Sequence, residues 1–404
     1  MAGMNFDLDE HEKVLAQFRE LRRTKVGPRA LQHDKEASFP IENFQDMHAA
    51  GLLGLSVQKA YGGYGAGLSS NFLLEIAVVE ELSKGCSSTG QAFHNHNASL
   101  EVIYVLGSQE QQSRFCTDVV RNGSIHGVWA SERAGKTVHD IKTRATKVKG
   151  GYVVNGQKFF STNSGGATWF QVWACVEGKS LEEGMLPCMI RCDDAGVSVL
   201  KDWMPLGQRG TTSGTTCYEN VFVPLSNVVG EPGDYYKLLL FGPYFQLGWT
   251  AVYVGIGAGA LEACLDYVKT KTRPWGETAY ERGVDDPYIQ NRVADLSVQV
   301  EASRLLLYRA ARMLEEAARH PELRAEAAVA VYRAKVFATE SALDVTSRIF
   351  QISGARAAVD APQSGFDMYW RNARTFTLHD PVDYRRQRIG RYLLGVEDPP
   401  ISWW

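Results

Sequence analysis

The sequence predicts a mainly α-helical protein with one β domain in the middle of its 404 residues. Apolar residues recur at helical spacing up to about residue 121. Short alternating segments with glycine turns follow between about 124 and 232, and long helical periods return from about 241. We therefore expect a helical domain at 1–123, a β domain at 124–234 and a four-helix bundle at 235–404.

The composition is that of an ordinary globular protein and argues against several classes of function. Hydrophobic residues make up 45% and charged residues 22%, and the net charge of −3 offers no basic surface for nucleic acid or an anionic membrane. We expect no signal peptide and no bilayer-spanning run. Seven scattered cysteines then indicate reduced thiols in the cytoplasm, and the pair Cys188 and Cys192 lacks further ligands for a metal.

The first domain reads as a series of helices, of which one begins at Pro40 and one, at 71–82, is apolar on nearly all sides and so is expected to be buried. The glycine-rich stretch at 61–67 has no preceding strand and no Gly-Lys-Ser/Thr, which excludes a P-loop and favours a tight connection. The next helix begins near Gln91 and carries two histidines, at 94 and 96. They point to different faces, so at most one can face a site.

The middle domain has the pattern of a barrel or a sandwich. Its candidate strands are 143–148, 152–154, 169–176, 186–191, 197–200 and 216–223. Lys149-Gly150-Gly151 predicts a hairpin, and Asn155-Gly156 predicts a second turn.

The C-terminal bundle is predicted to hold four long helices. The first, at 250–272, contains Gly-Ile-Gly-Ala-Gly, which permits close helix packing but does not match the dinucleotide-binding fingerprint. The second begins at Asp286-Pro287, and the third, at 325–350, ends at Gly354. The fourth occupies 365–395 and is interrupted at Pro381, directly after His379 and Asp380. Those two side chains could form a polar site in the bundle or simply cap a surface helix.

This order of domains resembles the acyl-CoA dehydrogenase fold over essentially the whole chain, with a β-barrel as its middle domain. The segment NGQKFFSTN at 155–163 is similar to the family's NGxKxWITN strand, and 206–209 with 220–224 resembles the strand that closes the β domain. The resemblance implies a flavin between the last two domains. It places Phe160 against the flavin ring, the hydroxyl of Thr162 at flavin N5 and Arg273 on the cofactor phosphate.

The C-terminal motif narrows the resemblance to one branch of that family. WRNARTFTLHDPVDY at 370–384 resembles dibenzothiophene monooxygenases and flavin-dependent N-hydroxylases more closely than dehydrogenases, and 130–132, 272–275 and 354–356 agree. This branch implies a two-component monooxygenase that uses O2 and reduced FMN, or FAD, from a separate NAD(P)H:flavin reductase. It oxygenates a nitrogen or sulfur atom or an aromatic ring of a small molecule through a flavin C4a-hydroperoxide. No segment reads as a nicotinamide site, which agrees with an external reductase.

Several positions depart from the sulfur-oxidising members of the branch. Gln91 replaces a histidine near the ring, while Asn95, Val128 and Phe376 replace Tyr, Asn and His. Ser131-Glu132-Arg133 stands where dehydrogenases carry Thr-Glu-Pro. The flavin scaffold is therefore better supported than any one substrate, and dibenzothiophene is not carried over.

The resemblance and the residue chemistry together give a candidate site. Thr162 and His379 are the candidate catalytic residues, since a hydroxyl suits flavin N5 and a histidine can donate a proton near neutral pH. The alternatives are a strand threonine and a structural histidine. The remaining predicted cofactor contacts are Asn95, Trp129, Ser131, Arg133, Lys158, Phe160, Arg273, Ala355 and Arg356. The predicted substrate contacts are Gln91, His96 and Phe376, and no metal is expected.

Two alternatives to a monooxygenase stay open at this point. An FAD-dependent acyl-CoA dehydrogenase would need a carboxylate base, and Asp380 lies near the position where many family members keep a glutamate. A fold relative that binds or assembles without catalysis is disfavoured by Thr162, Arg273 and His379. The resemblance also implies a homotetramer, since bundles of this family pair through their C-terminal helices, and Gly255, Gly257 and Gly259 suit close helix contacts.

Overall fold

The computed structural model describes residues 8–68, 70–137 and 140–402, so 1–7 and 403–404 of the predicted first and third domains lie outside it. The first domain is helical, as predicted. Its α5, which is buried from Ser87 to Ile103, begins four residues before Gln91, and α4 is buried along most of its length. These helices are α1 Leu8–Leu21, a π-helical turn Arg22–Val26, α2 Gly27–Glu36, α3 Ile41–Ala49, α4 Phe72–Gly85, α5 Ser87–Leu106 and α6 Gln109–Asn122.

The middle domain is one curled seven-stranded sheet, which agrees with the predicted β domain. In β4, residues 169–172 pair with β1 and 175–176 with β2, both parallel, and β5 pairs along the other edge. The sheet continues from β2 through β3 and β7 to β6. The strands are β1 His126–Trp129, β2 Arg144–Val148, β3 Gly151–Lys158, β4 Trp169–Val176, β5 Met185–Arg191, β6 Val197–Val199 and β7 Thr216–Pro224, with the short α7 Leu181–Gly184 before β5.

The predicted turn at Asn155-Gly156 is wrong, whereas the hairpin between β2 and β3 is confirmed. Strand β3 runs through both residues and shifts register between Val154 and Gly156, as a β-bulge does. Gly156 has a φ of +152°, and a side chain there would collide with Thr143. The glycine therefore serves close backbone packing inside a strand.

The C-terminal bundle contains three long helices and a fourth, broken one. The break at Pro381 is confirmed, and the Asp286 carboxylate caps α9 by accepting from the backbone N–H of Tyr288 at 2.8 Å. Helix α8 begins nine residues before 250, and the short α11 was not predicted. The helices are α8 Phe241–Thr270, α9 Pro287–Arg319, α10 Arg324–Ser353, α11 Ala355–Ser364, α12 Phe366–Phe376 and α13 Val382–Leu393.

Helix α8 joins the first domain to the bundle. Gly255 and Gly259 lie so close to Ser83 and Lys84 of α4 that a side chain at either position would collide with them. These glycines serve packing within the chain, so they do not support the predicted assembly. Contrary to expectation, α8 is long and apolar enough to cross a membrane by length and composition. However, 78% of its most apolar stretch is buried inside the protein, as in a core helix.

Candidate functional site

The chain leaves β3 through a strained corner that exposes an aromatic ring. Phe160 has a φ of +58°, a conformation that bulky residues rarely adopt, and its side chain is 59% exposed beside Phe159 and Trp203. Asn163, with a φ of +80°, anchors the corner by donating to the carbonyls of Ala92 and His126, both at 2.9 Å. Backbone strain of this kind clusters at binding sites. The corner presents an exposed apolar face at the position where the sequence predicts the flavin ring.

Thr162 lies buried in the same corner and brings three predicted residues together. Its Oγ1 lies 2.9 Å from Oγ of Ser213 and 3.5 Å from Nε2 of Gln91. Its carbonyl accepts a hydrogen bond from the indole of Trp129 at 2.7 Å. Gln91 in turn is bonded to Gln208, which, like Ser213, was not among the predicted site residues.

Lys158 anchors the segment that follows β1. Its buried Nζ donates to the carbonyl of Ala130 at 3.0 Å and to Glu132 at 2.7 Å. Burial lowers the pKa of Lys158 to about 8, although the Glu132 carboxylate opposes the change. The same segment carries Ser131, and it places the guanidinium of Arg133 over the Phe159 ring, 3.8 Å from its centroid. Lys158 thus positions two predicted contacts of the cofactor.

Asn95 and His96 face the β domain instead of Thr162. The Asn95 amide accepts from the backbone N–H of Val128 at 3.1 Å and donates to its carbonyl at 3.2 Å. Nδ1 of His96 accepts from the backbone N–H of His126 at 3.0 Å, and burial lowers the pKa of His96 to about 4. The structure therefore uses both side chains to hold β1 against α5.

His379 lies beside an aromatic wall formed by α5, α8 and α12. Its ring centroid is 5.7 Å from that of Trp249 and 6.0 Å from that of Phe376. Trp249 also packs edge-on against His94 at 5.0 Å. The His379 side chain keeps 36% of its surface exposed. Loss of hydration around the ring lowers the pKa of His379, although Asp380 opposes the change, so a neutral ring is favoured. His94, one turn of α5 after Gln91, is the α5 member of this wall.

Asp380, the possible base of a dehydrogenase, is held by two cations. One oxygen accepts a hydrogen bond from Lys335, and the other accepts one from Nε of Arg385 at 2.8 Å. Although burial opposes it, the charge of Lys335 holds the pKa of Asp380 well below its usual range. Burial also lowers the pKa of Lys335 to about 8. Such a carboxylate is a poor proton acceptor.

The predicted phosphate contacts lie at another corner of the bundle. Arg273 is exposed in the loop after α8, and Ala355 and Arg356 begin α11. Nε of Arg356 lies 3.6 Å from Asp360, which also accepts from the hydroxyl of Tyr267 at 2.9 Å. These polar contacts connect α8 with α11, so this corner is built separately from the one at Thr162.

Comparison with known proteins agrees with this architecture. The models of the acyl-CoA dehydrogenase N-terminal, middle and C-terminal domains match residues 8–123, 128–221 and 247–384. Dibenzothiophene monooxygenase of Mycolicibacterium goodii is 35% identical over 96% of this chain and 95% of its own length. The probable FMNH2-dependent monooxygenase SfnC of Pseudomonas putida is 30% identical over 93% of both chains.

Two solved structures are similar over nearly the whole chain. FMN-bound TdsC from Paenibacillus sp. A11-2 superposes with a TM-score of 0.90 at 29% identity, covering 97% of this chain and 99% of that one. Methanesulfinate monooxygenase MsuC from Pseudomonas fluorescens gives a TM-score of 0.86 at 28% identity, covering 96% and 98%.

The fold and these matches define an oxidoreductase of the FMN-dependent monooxygenase class, as the C-terminal motif predicted. The chain belongs to the acyl-CoA dehydrogenase family. The predicted monooxygenase branch and the predicted cofactor, FMN, are confirmed by these similarities. A small-molecule substrate and a separate source of reduced flavin follow from the class.

Proposed function

We propose that the protein oxygenates a small molecule at a nitrogen or sulfur atom or an aromatic ring, using O2 and reduced FMN from a separate NAD(P)H:flavin reductase. The similarity to dibenzothiophene monooxygenase and to the probable FMNH2-dependent monooxygenase SfnC supports this proposal. The aromatic wall of Trp249 and Phe376 suits a flat or sulfur-containing substrate, because such groups pack well against aromatic rings.

The observation that carries the proposal is the pairing of Asp380. Acyl-CoA dehydrogenation needs a carboxylate that accepts a proton from the substrate. Asp380 is engaged by Lys335 and Arg385, and their charges favour its ionised, hydrogen-bonded form. The monooxygenase is therefore favoured over the FAD-dependent dehydrogenase.

The site residues have separate roles in this proposal. FMN, when bound and reduced, supplies the electrons that activate oxygen. Phe160 would pack against its ring, Thr162 would face N5, and the neutral ring of His379 would hold the oxygen side by donating an N–H hydrogen bond. Gln91 and Phe376 border the substrate, whereas Asn95 and His96 act indirectly by holding β1.

We also propose that the enzyme is a cytoplasmic homotetramer of three-domain chains divided near 123/124 and 234/235. Helix α13 has no buried residue in the single chain, which supports burial against another copy. The phosphate corner at Arg273 and Arg356 is built apart from Thr162, so a second copy would bring it to the cofactor.

The test is a comparison of two reactions. The purified protein is supplied with reduced FMN in air and a panel of amines, thioethers and aromatic compounds, and separately with acyl-CoA and an artificial electron acceptor without air. We expect oxygen-dependent products that are 16 mass units heavier in the first assay. Oxidation of acyl-CoA without oxygen would overturn the proposal.

A further inference from the structure

A closed circuit of hydrogen bonds surrounds the hydroxyl of Thr162 and begins and ends at Gln208. Its seven side chains come from all three predicted domains, and each is buried. They are Ser87 and Gln91 of α5, Thr162, Gln208, Thr211 and Ser213 of the β domain, and Asn372 of α12. The backbone of Gln208 has a left-handed φ of +53°, so the protein maintains an uncommon conformation at the point where the circuit closes.

The first half of the circuit has a fixed direction because it starts at a backbone N–H. The N–H of Gln208 donates to Oδ1 of Asn372 at 2.7 Å, so the Asn372 amide nitrogen donates to Oγ of Ser87 at 2.9 Å. The Ser87 hydroxyl then donates to Oε1 of Gln208 at 2.5 Å. Nε2 of Gln208 donates to Oε1 of Gln91 at 2.7 Å. This turns Nε2 of Gln91 towards Oγ1 of Thr162, 3.5 Å away.

The second half has a fixed direction because it ends at a carbonyl, which can only accept. The Thr211 hydroxyl donates its hydrogen to the backbone carbonyl of Gln208 at 2.8 Å. Oγ1 of Thr211 must then accept from Ser213 at 2.7 Å. Ser213 in turn must accept from the hydroxyl of Thr162 at 2.9 Å. The single hydrogen of Thr162 is therefore committed to Ser213.

The consequence is that Thr162 offers its remaining lone pair, and no hydrogen, to a group that binds against it. In reduced FMN the N5 atom carries a hydrogen and donates. In oxidised FMN the same atom has a bare lone pair and needs a donor. We propose that the Gln208 circuit makes the site selective for reduced FMN by presenting Thr162 as an acceptor.

This inference rests on the proposed function, which places N5 of the flavin at Thr162. It adds a specificity for the redox state of the cofactor. An enzyme that collects reduced flavin from a reductase must bind it in the presence of oxidised flavin and must release the oxidised form afterwards. Ser213, Thr211 and Gln208 act through Thr162 and are therefore positioning residues.

The experiment measures the dissociation constants of oxidised FMN and, without oxygen, of reduced FMN by fluorescence titration. In Ser213→Ala the Thr162 hydroxyl loses its acceptor and becomes free to donate to oxidised N5. We expect oxidised FMN to bind about fivefold tighter, the equivalent of one neutral hydrogen bond, while reduced FMN changes less than about twofold. Thr211→Val should act in the same direction, and Thr211→Ser should restore the wild-type ratio.

The matched control is Ser161→Ala, which removes a neighbouring buried hydroxyl that lies 3.1 Å from Thr216, outside the circuit. Its ratio of the two dissociation constants should equal that of the wild type. If Ser213→Ala and Thr211→Val both keep the wild-type ratio of the two dissociation constants, the proposed role of the circuit is overturned. If the wild-type protein does not bind reduced FMN at all, the proposed function fails instead, so the two failures are distinguishable.

Discussion

Nζ of Lys335 donates a hydrogen bond to Oδ1 of Asp380, and this ion pair holds the helix break beside His379. Nδ1 of His379 lies 3.6 Å from the same carboxylate oxygen. Lys335 is buried on α10, whereas Asp380 is the residue before Pro381, so the pair ties α10 to the chain between α12 and α13. The carboxylate therefore has a structural role in positioning His379.

Replacing Lys335 with Met should weaken the fold, because Asp380 would keep only Arg385 as a partner. Removing one member of a buried ion pair costs about 3–5 kcal/mol, and we expect the lower end here because the Asp380–Arg385 pair remains. Urea denaturation measures the change in the free energy of unfolding. Lys269→Met, at an exposed position of α8, is the control, and an equal effect in both variants would contradict a stabilising pair.

His379→Ala should separate flavin binding from product formation. If His379 protonates or holds the oxygen side through its ring N–H, its loss should leave FMN affinity within about twofold and lower product formation by about a hundredfold, as for a positioned donor. The electrons of the flavin should then appear as hydrogen peroxide. Product analysis and a peroxide assay measure both yields.

The control for that variant is His320→Ala, at an exposed histidine at the end of α9. It should leave both yields unchanged. A His379→Ala enzyme with wild-type product yield would remove His379 from the mechanism. If Asp380→Asn but not His379→Ala abolished oxygen-independent acyl-CoA oxidation, the dehydrogenase would be the correct assignment.

Arg273→Ala should weaken the binding of reduced FMN. A charge-assisted hydrogen bond to phosphate contributes about 1.5–3 kcal/mol, which corresponds to a loss of roughly tenfold to 150-fold in affinity. Arg282→Ala is the matched control, because Arg282 lies in the same interhelical segment and is paired with Asp285. Equal affinities in the two variants would show that Arg273 is not a phosphate contact.

The order of the domains and the breaks in the bundle were predictable because they depend on local chemistry. Pro381 cannot continue a helix, and a cap such as Asp286 is recognisable from its neighbours. The segment that leads from β3 to Phe160 and Thr162 was recognisable as a family motif. Four-residue β1 was missed, because its sequence, His-Gly-Val-Trp, is too short to show a period.

The Gln208 circuit could not be predicted, because its members meet only in the folded chain. Gln208 is separated by 117 residues from Gln91 and by 164 from Asn372. A single sequence also does not tell which partner an amide takes. Asn95 was predicted to contact the cofactor, but both ends of its amide bind the backbone of Val128.

Light scattering at micromolar concentration should show a homotetramer, and disrupting the surface formed by Leu393 and Leu394 should dissociate it. Leu393 ends α13 and Leu394 follows it, and Leu394 is 80% exposed in the single chain. Leu394→Glu would place a charge in an apolar contact, where the charge loses hydration. A monomeric wild-type protein would contradict the proposed assembly.

Glu101 should make the protein less stable as the pH rises from about 5 to 8. Burial, assisted by the negative charge of Glu75, raises the pKa of Glu101 from its ordinary 4.5 to about 8, and its Oε1 has no hydrogen-bond partner among the described residues. Between these two values the folded protein keeps a proton that the unfolded chain has lost. The free energy of unfolding should therefore fall by up to about 1.4 kcal/mol per pH unit in this window and level off above it.

The neutral variant Glu101→Gln should remove that pH dependence, because it has no proton to lose. It should match the wild type at pH 5 and exceed it in stability at pH 8, as measured by urea denaturation at each pH. Glu219→Gln, at an exposed position of β7, is the control and should follow the wild-type curve. Parallel curves for the wild type and Glu101→Gln across the window would show that Glu101 does not retain its proton in the fold.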